Sequence, residues 1–509
     1  MANGISKRRR LIRGGRVYDH DGDIDQPAIA DVLIDGDTIV SIAPQISATE
    51  DVEVTNAHGK LLIPGFINAH YHSHDVFAKG MFEEMPFDIW THHTNPNNYG
   101  VRTLEEVRLR TLLGAAEALR NGITTIQDML ILVPREDEYL DTVLAAYEEI
   151  GIRVVFSLTV RDRAVLDIAP FLSDTVSDAL RRRIVGKSTR PLDEIEFITR
   201  QIRRVRPSPG SRQTWALGPS GPQRCSHELL EGIASLQREL DLPVLTHIYE
   251  TKVQAVGARR EYAEQGGSLI EVLDRAGLMN DHLSLIHGVW LTPKEIARVA
   301  DAGACLVHNP MSNLKLKNGI APILEYERAG VTIALGCDNC TCGDTQNIFH
   351  AMRMLCLLPA VSQPTPGPVT AGYAMRAATL SGAQALGLQG KVGALKPGML
   401  ADLVILSLDE TSFLPFNSAA RQLVFSESGG GVDTVFVSGR PIVQEGKLVS
   451  IDEAVLADAV RECSTAFQRD ALTLRERNRA DNDAILQACK VAWGTSLGFD
   501  RYLDSCLRR

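Results

Sequence analysis

Eight short apolar runs, separated by longer amphipathic stretches, constrain this chain more than any other feature. They read "LLIPGFINAH", "ITTIQDM", "IRVVFSLTV", "TWALGPS", "LPVLTHIYE", "LSLIHGVWL", "ACLVHNP" and "VTIALGCDN", in order between residues 61 and 339. Most are rich in β-branched residues, as strands buried on both faces should be. Helical patterns lie between them, such as "TLEEVRLRTLLGAAEALRNG", with Thr103 as an N-cap, acids in its first turn and Gly122 as a stop. Strand–helix alternation of this kind predicts an α/β protein built on a (β/α)8 TIM-like barrel. A doubly wound sheet is the competitor, but no glycine-rich dinucleotide turn follows the first run. Both chain ends have a different texture, with short strands and turns. Around "DGD", Val32 and Ile34 alternate on one side and Val40 and Ile42 on the other, which predicts a hairpin. The expected organisation is residues 1–66 and 391–450 as the two parts of a small β-sandwich domain. Residues 67–390 form the barrel and 451–509 a helical extension, packed on the barrel or on a partner subunit.

Composition narrows the function classes. The chain has 509 residues, 44% hydrophobic and 23% charged, with a net charge of -10. That balance argues against nucleic acid and against an anionic membrane surface, both of which call for a basic patch. The one dense basic run is at residues 7–10, and no signal-like apolar segment follows it. No apolar stretch approaches the ~20 residues of a membrane helix. Nine scattered cysteines suit reduced thiols and a cytoplasmic location, and "QPTPGP" at 363–368 reads as a stiff loop. Cys337, Cys340 and Cys342 lie close together, but their spacing fits no common zinc pattern. The helical tail suits a homo-oligomer.

Polar residues gather at one end of the strands, where barrels place their chemistry. The first strand ends His70-x-His72, the fifth His247-x-x-Glu250; the sixth carries His287, the seventh His308 and the eighth Asp338. Singly, each histidine in an apolar run reads as a satisfied core residue; together they read as a site. His70 and His72 share a face, and His247 and Asp338 can complete a shell around one divalent ion. Three imidazoles and a carboxylate suit Zn²⁺ first, and Fe²⁺ or another transition metal next. His74 lies two residues past the pair. It reads either as a substrate contact or as a loop histidine bonded to backbone. Trp90, His92 and His93 read as pocket wall or as loop, and Glu250 as a catalytic group or as a cap on the following helix. Asn309, Ser312 and Asn313 read as fixing the turn after strand seven.

The segments "PGFINAHYH", "HIYET", "IHGVWLT", "HNPMSNLKLKNGIAPI" and "GCDN" resemble the amidohydrolase superfamily. The branch is that of cytosine and guanine deaminases, triazine chlorohydrolases and methylthioadenosine/S-adenosylhomocysteine deaminases. The likeness runs from about residue 10 to 450, with the motifs in order on separate strands. It implies a mononuclear site, with His70, His72, His247 and Asp338 as metal ligands. It implies Glu250 as proton shuttle and His287 as the polarising residue, so that Glu250, His287 and Asp338 form the catalytic set. "WALGPSGPQ" lacks the carboxylated lysine of binuclear relatives. His308, in the "HNPxSN" segment, is expected to orient that loop, and it stands with His74, Trp90 and Gln223 as a candidate substrate contact. The chain departs from the deaminases after strand four, where "GPSGPQRCS" replaces a histidine and an aromatic. It departs again after Asp338, where "NCTCGD" replaces a glycine. The expected activity is hydrolytic deamination of an aminated pyrimidine, purine or triazine ring, a carbon–nitrogen hydrolase using small-molecule substrate and water. The alternative keeps the metal and changes the bond: loss of chloride or alkylamine from a ring, or amide or urea hydrolysis. A non-catalytic binding protein is the third reading.

Overall fold

The computed structural model describes residues 9–503, except 51, 165, 186–187, 209 and 363–364. Parts of the basic run at 7–10 and of the loop at 363–368, together with Cys506, thus lie outside the described residues. Each of the eight apolar runs holds a strand. We number these β1 (Phe66–His72), β2 (Ile123–Leu130), β3 (Arg153–Val160), β4 (Gln213–Trp215), β5 (Val244–Ile248), β6 (Leu283–His287), β7 (Cys305–His308) and β8 (Ile333–Leu335). Neighbours pair parallel from β1 to β4 and from β5 to β8. A parallel bridge between Leu217 and Val244 leads from the β4 side to β5, with Leu217 N donating to Pro243 O and Leu245 N to Leu217 O. Beyond β8 a two-residue strand, Asp338–Asn339, pairs parallel with β1, setting Asp338 opposite Tyr71 and Asn339 opposite His72.

The first run is not one strand. It divides at Pro64-Gly65, because proline cannot donate to a ladder and the chain leaves one sheet there. Lys60–Pro64 pairs antiparallel with Leu403–Ser407, inside a nine-stranded sheet built from both chain ends. Within that sheet the expected hairpin is present: Ile29–Asp35 and Thr38–Ala43 pair antiparallel around Gly36, whose φ is 64°. Gly36 supplies the left-handed backbone that such a tight turn requires.

One buried apolar cluster draws side chains from seven of the parallel strands, Ile67, Met129, Val155, Leu245, Ile286, Val307 and Ala334, and takes Ala216 from just past β4. Ala383, Leu386 and Leu388 join it from the helix after residue 380 and the turn that follows. Packing converges on this cluster because each strand is buried on both faces. Gly336, after β8, sits where a Cβ would lie 2.9 Å from His70 Cβ and 2.2 Å from Asn309 Oδ1, so the backbone can approach β1 only without a side chain. The C-terminal extension is helical, as expected: Glu453–Arg479 and Asn482–Gly494. It packs on this same chain, against the helices Phe87–Thr94 and Leu104–Arg120.

A buried ion pair ties the parallel strands to the end sheet. Arg153, at the start of β3, donates Nε to Asp402 Oδ2 at 2.7 Å and Nη2 to Asp402 Oδ1 at 2.9 Å. Ser438 N also donates to Asp402 Oδ1, at 2.7 Å. Removing one partner strands a buried charge. Asp402→Leu is expected to cost about 3–5 kcal/mol of stability, read by denaturant unfolding, and adding Arg153→Met should recover most of the loss.

Candidate metal centre and active site

The strand ends bring six polar side chains to one place. His70 Nε2 lies 3.4 Å and His72 Nε2 3.5 Å from Asp338 Oδ1. His287 Nε2 lies 3.7 Å from Asp338 Oδ2 and 3.7 Å from Glu250 Oε2. The His247 ring is stacked on His72 at 5.7 Å and on His287 at 5.6 Å, and meets His70 edge-on at 4.9 Å. Three sets of potential ligand atoms lie within 4.8 Å of one another: His70/His72/Asp338, His70/His247/His287 and Glu250/His287/Asp338. All six side chains are buried. Among the described residues, no such set includes a cysteine. The described cysteines, Cys337, Cys340 and Cys342 among them, are free thiols.

Second partners aim the imidazoles inward. His72 Nδ1 lies 2.6 Å from Met129 O, His247 Nδ1 2.7 Å from Ser220 O, and His287 Nδ1 2.9 Å from Asn313 Oδ1. His70 Nδ1 lies 3.4 Å from Gln127 Oε1. Each ring therefore spends one nitrogen on the fold; His70, His72 and His287 turn the other toward Asp338, and His247 has a ring nitrogen grouped with those of His70 and His287. The fold holds part of this arrangement under backbone strain: His287 has φ 74° and Asp338 φ 63°, both left-handed without being glycine.

Electrostatics suit metal binding. Desolvation lowers the His72 pKa to about 3 and that of His287 to about 4, and pushes His247 well below the usual histidine range. These imidazoles are neutral at neutral pH, the form that ligates. Burial alone would raise Asp338, but the imidazoles of His70, His287 and His72 packed around it hold it well below the usual carboxylate range. Glu250 goes the other way. Burial first, and the Asp338 carboxylate second, raise it well above the ordinary glutamate value. Two carboxyls a few ångströms apart are thus driven toward opposite protonation states, a recurrent device for assigning acid and base roles. The donor set fits a borderline divalent ion, and His70 Nε2 is a buried nitrogen with no hydrogen-bond partner, aimed into the cluster.

Glu250 does not cap the helix after β5. Thr251 does, accepting from Gln254 N at 3.2 Å, while Glu250 Oε1 accepts from Asn318 Nδ2 at 3.0 Å. His74 and Trp90 line the pocket over the cluster, together with Phe87, Ser220, Arg224 and Asn339. The His74 ring lies 5.2 Å from that of His72, and its Nδ1 is buried without a partner. Trp90 Nε1 donates to Thr341 Oγ1 at 3.1 Å, and Asp75 accepts from Thr341 N and Cys340 N, both at 3.1 Å. These bonds shape the "NCTCGD" turn. Gln223 and His308 are not among the pocket-lining residues. Gln223 donates to Asp167 at 3.1 Å, and His308 is buried with both ring nitrogens unpartnered. His92 and His93 reach the C-terminal extension, at Asp481 (3.2 Å) and Asn482 (2.9 Å). Asn313, read from sequence as a turn residue, also holds His287.

Arg224, which no motif marks in the sequence, also enters the site. It forks onto Asp167 at 2.9 and 2.5 Å and reaches Ser220 Oγ at 3.3 Å, putting a guanidinium in the pocket wall. The available signal was a lone cation in an otherwise uncharged turn, "GPSGPQRCS", directly after a buried strand.

A profile described as the amidohydrolase family matches residues 61–442. A 5-methylthioadenosine/S-adenosylhomocysteine deaminase of Pyrococcus abyssi is 32% identical over 458 residues, covering 90% of this chain and 99% of that protein. A 5'-deoxyadenosine deaminase of Methanothermobacter thermautotrophicus is 31% identical over 430 residues, covering 83% of this chain and 91% of its own length. Among solved structures, a zinc-bound adenosine deaminase from Xanthomonas campestris superposes with a TM-score of 0.75 at 25% identity, over 92% of this chain and 98% of that one. A triazine hydrolase variant gives 0.78 at 25% identity, over 90% and 99%. With the ordered motifs and the clustered histidines, these matches lead to one conclusion: the chain belongs to the amidohydrolase family.

Proposed function

We propose that this protein is a metal-dependent hydrolase that deaminates an aminated N-heteroaromatic ring, with purine nucleosides of the adenosine type as the first candidates. The observation that carries the reading is the convergence of His70, His72, His247 and Asp338 beside a protonatable Glu250. The names of the similar proteins, deaminases of adenosine-type compounds, support the substrate class. In this reading His70, His72, His247 and Asp338 hold one divalent ion, Zn²⁺ first by donor chemistry. When bound, such an ion lowers the pKa of a water it holds from 15.7 to about 7 and so supplies a nucleophile. Asp338 takes the proton released as water adds to the ring carbon that carries the amine. Glu250 moves a proton from that water to the adjacent ring nitrogen, relieving charge as the tetrahedral carbon forms. General acid–base help of this kind contributes about 10²–10⁴-fold. His287, steadied by Asn313, hydrogen-bonds the group developing charge. The amine leaves as ammonia after taking a proton, and a ring carbonyl remains. His74 and Trp90 contact substrate from the rim.

The same reading extends to architecture. The shared cluster and the fold of the solved relatives support closure of the eight parallel strands into a (β/α)8 barrel over 67–390. The joined end strands, from 1–66 and 391–450, support a small β-sandwich beside it. Free cysteines favour a cytoplasmic location, and the exposed Val455 and Leu472 of the extension favour a homo-oligomer.

Ammonia release from adenosine-type substrates, with metal content measured on the same sample, tests the activity. Release of chloride or an alkylamine, without ammonia, would replace it with the ring-displacement alternative. Glu250→Gln is expected to retain metal and lose about 10²-fold or more in kcat; near-normal turnover would remove the shuttle role. His74→Ala should raise KM with metal content unchanged, and metal loss in that variant would move His74 into the ligand set.

A further inference from the structure

Beside the metal-site pocket lies a second chamber of about 600 Å³. The two share a wall: Thr91, Asn95, Ile131, Thr159 and Arg161 line both. The chamber is therefore immediate to the space over the cluster, on the side where a ring substituent would point toward Arg161. The outer wall includes Arg477, Asn478 and Asp481, from the C-terminal extension. That extension lies beyond the region matched by the family profile.

The charge of this chamber runs against that of the protein. In a chain of net charge -10, five described arginines line it, Arg135, Arg161, Arg163, Arg183 and Arg477, against the carboxylates of Glu194 and Asp481. Both carboxylates are engaged. Glu194 takes both arms of Arg135, each at 2.8 Å, and Asp481 pairs with Arg183 and with His92. Arg163 donates to Tyr262 Oη at 2.8 Å, and Arg477 Nε to Asn478 Oδ1 at 3.2 Å. Arg161 stands on the shared wall, and among the described residues its guanidinium has no hydrogen bond or ion pair. Burial, and then the neighbouring guanidiniums of Arg224 and Arg135, lower its pKa to about 10. An enclosed cation among like charges is costly unless a counter-charge arrives. The planar fork of arginine matches carboxylate and phosphate oxygens.

We propose that the chamber is a subsite for an anionic group, a carboxylate or a phosphate, on the substituent of the aminated ring, with Arg161 as its counter-charge and the C-terminal extension as its outer wall. The inference rests on the deaminase reading of the neighbouring site and adds what distinguishes one aminated ring from another. The relatives' names include neutral compounds as well as an acid-bearing one, so the names alone do not decide it.

Matched pairs test it on the metal-loaded protein: adenosine against adenosine 5'-monophosphate, and 5'-methylthioadenosine against S-adenosylhomocysteine. The first pair probes phosphate and the second carboxylate. In at least one pair the acidic member is expected to have the higher kcat/KM by about tenfold or more, the scale of one charged hydrogen-bonded contact. Arg161→Gln should erase that preference, lowering the acidic member's kcat/KM more than the neutral member's, and Arg161→Lys should keep part of it. Equal kcat/KM within both pairs, or a preference that survives Arg161→Gln, would overturn the subsite. If none of the four compounds releases ammonia, the adenosine-type reading has failed, and calorimetric binding of the same compounds decides the subsite by itself. Tighter binding of an acidic member, lost in Arg161→Gln, supports it. No binding, or binding unchanged by the substitution, overturns it.

Discussion

The site depends on one electrostatic arrangement: a buried Asp338 carboxylate set among imidazoles, of which burial keeps His72, His247 and His287 neutral. Asp338 alone would be costly in this interior, and the histidines alone would be unsatisfied nitrogens. Together they form a cluster in which His70, His72 and His287 lie 3.4–3.7 Å from the carboxylate. Each imidazole is aimed by a partner on the neighbouring fold: Met129 O from β2, Ser220 O beyond β4, Asn313 after β7. The cluster thus sits at the ends of the parallel strands, where packed elements can hold side chains in precise geometry.

The second constraint is closure of the rim. The Phe87–Thr94 helix supplies Phe87, Trp90 and Thr91 to the pocket wall and is held from two sides. Trp90 bonds Thr341 on the inner side, while His92 and His93 meet Asp481 and Asn482 on the outer. A tail that reads from sequence as an accessory helix pair is, in the fold, a wall of the cavity beside the reactive centre. Variation in such a segment can change the cavity without touching the clustered histidines and Asp338, consistent with function being set by sites placed on a common fold.

Much of this was legible in the residues. The eight apolar runs hold the eight parallel strands, because a strand buried on both faces must be apolar along its length. The helix at Leu104–Arg120 begins where Thr103 can cap it and ends before Gly122. The polar residues at the strand ends stood out because charge and imidazole are expensive in a buried strand. The division of the first run at Pro64-Gly65 was overlooked because apolar texture does not reveal a change of sheet. Glu250 had two readings, and Thr251 took the capping role because its hydroxyl sits at the helix start.

The order of strands, the residue types at their ends and the helical tail are local properties, set by periodicity, propensity and the cost of burying polar groups. They were determined by the sequence alone. Which side chains meet was decided by tertiary structure: Arg224 on Asp167, Asn313 on His287, Gln223 and His308 away from the pocket, and Arg161 on a shared wall without a hydrogen-bond partner among the described residues. Those contacts join residues tens to hundreds of positions apart, and their energies depend on distance and local dielectric. Only the packed fold sets those two quantities.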